Sequence, residues 1–136
     1  MIEIGAFPFL EKKGKLYIML VTNTSGNLWI LPKGHPESNL KNAKVAELET
    51  FEEAGVKGKV LVKINNREFK RENGGTLLIY PLLIGEILSK WKEESIRKRR
   101  LVKVKEALQL VTRKEHLNAI KYFSSEQKKQ QLMASL

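Results

Sequence analysis

Four glutamates fall within one short stretch, Val45-Ala46-Glu47-Leu48-Glu49-Thr50-Phe51-Glu52-Glu53-Ala54-Gly55-Val56, just after the turn-like segment Leu31-Pro32-Lys33-Gly34-His35. Glu49, Glu52 and Glu53 are three and four residues apart, so on a helix their carboxylates share one face. Glu49 looks toward Val45, Ala46, Glu52 and Glu53, and Glu52 toward Leu48, Glu49, Gly55 and Val56. Only Glu53 has a lysine at helical spacing, Lys57, and it lies beyond Gly55. Like charges at this spacing cost helix stability unless a counter-charge compensates them. The bland reading is a solvated acidic face. With a phosphate-binding type of turn just upstream, a divalent-cation site is the better reading, and carboxylate oxygens suit the hard ions Mg²⁺ or Mn²⁺. Glu47 lies on another face and reads as solvated.

Residues 96–105 carry six basic residues and no acid, while five of the fifteen acids lie between Glu37 and Glu53, all within a net charge of +10. A basic strip of this kind attracts polyanions, whether nucleic acid, nucleotide or another polyphosphate. Lys33, His35, Arg97, Lys98 and Arg99 are the candidate phosphate-binding side chains, and Trp29 and Trp91 are the candidate base-stacking rings.

The elements that must position these groups follow from pattern. Residues 2–9 and 15–22 are apolar and β-prone, with Glu11-Lys12-Lys13-Gly14 as a hairpin turn. Asn23-Thr24-Ser25-Gly26-Asn27 is a second turn, and Leu28 to Leu31 is a short strand stopped by Pro32. A helix starts near Asn39 to Asn42 and ends at Gly55. Residues 57–71 read as a strand with a bend at Asn65-Asn66. Thr76 to Leu88 reads as a buried central strand in which Pro81 removes one ladder hydrogen bond. Val104 to Val111 reads as a short helix and His116 to Leu132 as one longer helix. The expectation is a single α/β domain over residues 1–136, with helices on a mixed sheet.

With 136 residues and 42% hydrophobic content, one core is the expectation. The absence of cysteine excludes disulfides, thiolate metal sites and cysteine nucleophiles. No stretch reaches the roughly 18 apolar residues of a membrane span, and Met1 to Gly5 lacks the basic start of a secretory leader. The expectation is a cytoplasmic protein without a membrane partner, either a monomer or a small homo-oligomer.

The segment from Gly34 to Val56 resembles the Nudix box, G-x5-E-x7-R-E-U-x-E-E-x-G-U, where U is aliphatic. Gly34 matches the opening glycine, Glu49 the glutamate of R-E, Glu52 and Glu53 the E-E pair, and Gly55-Val56 the closing G-U. Leu40 stands in place of the first glutamate, Leu48 in place of the arginine and Thr50 in place of the aliphatic residue. The missing arginine is the group expected to hold the glutamates by ion pairing, so its loss bears on how well they are oriented. Pro32-Lys33-Gly34-His35 is similar to a stretch of diadenosine tetraphosphate hydrolases. Gly85-Glu86-Ile87-Leu88, Trp91 and Arg97-Lys98-Arg99 look like a stretch of diphosphoinositol polyphosphate phosphohydrolases.

The resemblance implies an α/β/α sandwich and metal-dependent hydrolysis of a phosphoanhydride in a nucleoside diphosphate linked to another moiety, or in a similar polyphosphate. It implies Glu49 and Glu53 as principal metal ligands, with Glu52 and the carbonyl of Gly34 completing the site, and Glu52 or Glu86 as general base. The competing reading is a Nudix-fold binding module without efficient turnover that holds nucleotide or RNA on its basic strip.

Overall fold

The computed structural model describes all of residues 1–136. Strand β1 (Ile2–Lys12) turns at Lys13-Gly14 into β2 (Lys15–Thr22). Both turn residues have positive φ, 53° and 79°, the backbone a two-residue hairpin needs to match strand twist. The Asn23–Asn27 turn closes through the side chain of Asn23, whose Oδ1 accepts from the amides of Asn27 and Leu28. It leads to the two-residue strands β3 (Trp29–Ile30) and β4 (Lys33–Gly34) and then to helix α1 (Asn42–Ala54). Strands β5 (Val56–Val60), β6 (Arg67–Lys70), β7 (Thr76–Ile87) and β8 (Arg99–Lys103) complete the sheet, and helices α2 (Val104–Leu110), α3 (Lys114–Phe123) and α4 (Glu126–Ala134) follow.

The main strand order is β3-β2-β1-β7-β5, with β4 on β1, β6 on β7 and β8 on β2. Only β1 and β7 run parallel; the other pairings are antiparallel, so the sheet is mixed. Strand alternation splits the apolar residues between two faces. Ile4, Ala6, Met19, Val21, Leu78, Leu82 and Ile84 form one core with Val45, Ala46 and Ala54 of α1. Phe7, Phe9, Ile18, Leu20 and Ile79 form the other with Ala107, Ala119, Ile120, Phe123 and Leu132 of the C-terminal helices. The result is an α/β/α sandwich.

Two sequence expectations need revision. Residues 57–71 are not one bent strand: β5 pairs with Leu82 to Ile87 of β7, and β6 pairs with Thr76 to Ile79. Pro81 sits where β7 changes partner, so its missing N–H falls at a break between two ladders, and its carbonyl still accepts from Leu61. The expected helix from His116 to Leu132 is broken at Ser124-Ser125 into α3 and α4. The Ser124 hydroxyl turns back onto the Ile120 carbonyl, while the Ser125 hydroxyl caps the new helix by accepting from the Lys128 amide.

Candidate active site

Helix α1 carries the glutamates and is anchored from its opposite side. Val45, Ala46, Thr50 and Ala54 are buried, and the helix stops at Gly55, whose φ of 66° is the left-handed cap conformation. A side chain at Gly55 would also meet Trp91, 2.7 Å from its Cβ, so glycine is required there for space as well. Strand β4 brings Gly34 to the helix by pairing with β1, Ile4 opposite Gly34 and Gly5 opposite Lys33.

Gly34, Glu49 and Glu53 meet. A Cβ on Gly34 would lie 2.3 Å from the Glu49 carboxyl carbon, so the backbone at Gly34 rests directly on that side chain. Glu49 and Glu53 are within hydrogen-bonding reach of each other. Glu53 is only 3% exposed. Its Oε1 accepts from the Lys33 amide at 3.2 Å and its Oε2 from Arg97 Nη2 at 3.3 Å. Burial dominates its titration and pushes its pKa from 4.5 up to about 8, against the attraction of Arg97. Burial also raises Glu49, with the charge of Glu52 adding to the effect. Without a cation this pair is therefore driven to hold a proton.

Glu52 pairs with Lys92, Nζ at 3.3 Å, while its charge still acts on Glu49. Glu47 is not simply solvated: it accepts from the Val60 amide at 2.8 Å and ties α1 to β5. Glu86 is exposed on β7 opposite Lys57. Leu40 and Leu48 line one groove with Phe51, so apolar side chains stand where the box pattern has opposite charges.

The basic candidates divide. Lys33 reaches away to Glu3, at 2.8 Å. His35 and Lys98 are exposed. Arg97 is turned inward to Glu53, Glu93 and the Thr22 carbonyl. Arg99 lies over the Trp91 ring, 3.9 Å from its centre, and donates to the Ala54 carbonyl. Arg100 pairs with Glu106. The strip is interrupted because residues 99–103 form β8 on β2, which sends alternate side chains to opposite faces. Trp29 borders the C-terminal core and faces Arg100, 5.8 Å away.

Sequence reasoning missed Glu93. It accepts from Arg97 Nε at 2.7 Å, and its charge raises the pKa of both Glu49 and Glu53. The signal was present as a Glu-to-Arg spacing of four in Glu93-Glu94-Ser95-Ile96-Arg97. The Glu93 amide also donates to the carbonyl of Glu52, which pins this segment to α1.

No three His, Cys, Asp or Glu side chains converge into a closed ion cage. Mg²⁺ is ordinarily held by one or two carboxylates plus substrate phosphates, so Glu49 and Glu53 beside the Gly34 backbone fit such an ion. The largest cavity, about 850 Å³, lies elsewhere, between β5, the end of β7 and Ala134-Ser135, and has no acidic residue in its wall. The chemistry of the donors, not the depth of a cleft, marks the glutamate site.

No family model matches the chain. Among curated proteins it is 31% identical over 114 residues to Nudix hydrolase 18, mitochondrial, of Arabidopsis thaliana, covering 76% of this chain and 65% of that protein. It is 37% identical over 86 residues to diphosphoinositol polyphosphate phosphohydrolase 3-beta of Bos taurus, covering 61% and 52%. The chain thus spans only part of the length of these relatives, between about half and two thirds. Its fold matches a C. elegans Ap4A hydrolase binary complex with a TM-score of 0.71 at 14% identity, over 99% of this chain and 98% of that one. It also matches the NUDIX domain of Shewanella oneidensis NrtR, complexed with ADP ribose, with a TM-score of 0.70 at 17% identity, over 97% and 88%. With its Gly34-to-Val56 box on the loop and helix just described, and with these relatives in sequence and fold, the chain belongs to the Nudix family.

Proposed function

We propose that this protein is a metal-dependent pyrophosphohydrolase that cleaves a phosphoanhydride bond in a nucleoside diphosphate linked to another moiety, such as a dinucleoside polyphosphate, a nucleoside triphosphate or a similar polyphosphate, within a single domain. The observation that carries this reading is the contact of Glu49 with Glu53 at the Gly34 backbone, a half-buried and a buried carboxyl whose raised pKa values mark a site short of positive charge. The names of the curated relatives and of the structures that share the fold support the reaction class.

In this reading Glu49 and Glu53 hold Mg²⁺ or Mn²⁺, with the Gly34 carbonyl and Glu52 available to complete the set. The bound ion supplies neutralisation of phosphate oxygens and a lowered pKa for the attacking water. The protein supplies orientation. The Lys33 amide and Arg97 each take one oxygen of Glu53. Glu52 and Glu86 are the candidate bases; Glu93 is a third acid whose charge acts on both Glu49 and Glu53, with one oxygen taken by Arg97 Nε. His35 and Lys98, both exposed, remain available for substrate phosphates, while Lys33, Arg97 and Arg99 are engaged by protein groups.

The decisive experiment is incubation with Mg²⁺ or Mn²⁺ and a panel of diadenosine polyphosphates, nucleoside triphosphates, capped or triphosphorylated RNA and diphosphoinositol phosphates. Turnover of at least one, largely lost in Glu53→Gln, is the expected result. No turnover of any member defeats the enzyme reading, and an undiminished rate in Glu53→Gln defeats the ligand assignment. Tight RNA binding without turnover would favour the binding-module reading.

A further inference from the structure

We propose that Arg97 is a positioning residue for Glu53, supplying from the segment between β7 and β8 the ion-pair support that Leu48 cannot give from within α1. The inference rests on the metal-site reading above and concerns how that site is held. Position 48 is apolar, as are Leu40 and Phe51 in the same groove, and the one lysine of α1, Lys44, pairs with Glu47, so α1 supplies no ion-pair partner to Glu49 or Glu53.

Arg97 comes from 44 residues further along the chain. Its side chain is only 11% exposed, and its guanidinium is satisfied on three sides. Nε donates to Glu93 at 2.7 Å, Nη1 to the Thr22 carbonyl at 2.9 Å and Nη2 to Glu53 at 3.3 Å. The end of β2 and the segment after β7 therefore fix the fork, and the fork fixes one oxygen of Glu53. The Lys33 amide fixes the other oxygen. A carboxylate anchored at both oxygens by single hydrogen bonds retains a free lone pair on each, held in one direction. The same guanidinium bridges Glu53 and Glu93, so one planar group joins the candidate ligand to a second acid beside it.

The sign of the effect on metal binding separates positioning from mere proximity. By Coulomb's law alone, removing a cation next to a cation site should tighten metal binding. Loss of an orienting partner should loosen it, by about tenfold or more for outer-shell groups of this kind.

The test is Mn²⁺ binding to the intact chain, followed by the electron paramagnetic resonance of free Mn²⁺ and by calorimetry, with thermal unfolding of each metal-free variant alongside. Arg97→Met keeps most of the buried stem and removes the fork; it should bind Mn²⁺ about tenfold more weakly. Arg97→Lys, which keeps the charge but cannot bridge three acceptors, should fall between Arg97→Met and wild type, and it reads out the effect if Arg97→Met does not fold. Arg100→Met removes the same charge from an exposed pair with Glu106 and should not weaken binding. Unchanged or tighter Mn²⁺ binding in the folded Arg97 variants, with binding weakened in Glu53→Gln, overturns the role of Arg97 alone. Wild-type Mn²⁺ binding in Glu53→Gln as well overturns the metal site on which the inference stands.

Discussion

The backbone of Gly34 and the carboxyl group of Glu49 occupy touching space: a methyl group added at Gly34 would sit 2.3 Å from the Glu49 carboxyl carbon and 2.5 Å from Oε2. That group is the far end of a flexible side chain, so Gly34→Ala can be accommodated by swinging Glu49 away. We expect little loss of stability, under about 1 kcal/mol of the kind seen for surface changes, together with a clear loss of Mn²⁺ affinity. Chemical denaturation and a Mn²⁺ titration of the same sample check both halves. Large destabilisation, or unchanged Mn²⁺ binding, would show that Glu49 does not yield in this way.

The pH dependence of the site follows from Glu53. Its folded pKa of about 8 lies above the ordinary 4.5, so between these values the folded protein binds more protons than the unfolded chain. Its contribution to stability is therefore fully present below about pH 4.5 and is lost as pH rises through about 8. A cation competes with that proton, so Mn²⁺ affinity should climb steadily toward pH 8. Added Mg²⁺ should raise the unfolding temperature more at pH 8 than at pH 6. Glu53→Gln should remove both trends. Calorimetry across pH, with and without metal, gives the answer, and a flat metal response from pH 6 to 8 contradicts the assignment.

Thr50 stands where the box pattern has an aliphatic residue, yet it is fully buried. Its hydroxyl is satisfied within the helix, donating to the Ala46 carbonyl at 2.7 Å. Thr50→Val keeps the branched shape and removes a donor whose acceptor already belongs to the helix. Stability should stay within about 1 kcal/mol of wild type, with Mn²⁺ binding unchanged. Urea unfolding resolves a difference of that size, and a larger loss would mean that the hydroxyl has a role beyond capping its own turn.

Much of this arrangement was legible in the sequence, and the boundary of legibility is physical. Helix α1 could be bounded because Gly55 is the kind of residue a left-handed cap demands, whereas the single core expected from length is in fact two, because strand alternation sends apolar side chains to both faces of the sheet. Spacing along α1 brought Glu49 and Glu53 onto one face, but the rotamer of Glu52 depends on Lys92, 40 residues away. The run of basic residues looked continuous because a list of residues has no inside. Once β8 pairs with β2, Arg97, Arg99 and Arg100 take three different partners. The break between α3 and α4 hung on two serines, whose preference for capping over helix interiors is a weak signal beside the apolar periodicity around them.

His116 provides an acid-side counterpart to Glu53. It is completely buried; its Nδ1 accepts from the Leu31 amide at 3.1 Å, which leaves the proton on Nε2, where it has no partner. Burial, reinforced by Lys33, Arg113 and Arg71, drives its pKa from 6.5 down to about 3. Between those values the unfolded chain binds the additional proton, so this contribution to stability is present above about pH 6.5 and is lost as pH falls through about 3. His116→Leu removes the titration but leaves the Leu31 amide without an acceptor, at a cost of about 1–3 kcal/mol at pH 7. The gap between wild type and variant should therefore narrow on acidification from pH 6.5 to pH 4, as measured by urea unfolding at each pH. A gap that stays constant over that range would mean that His116 accepts its proton in the folded state, in conflict with its burial among three cationic side chains.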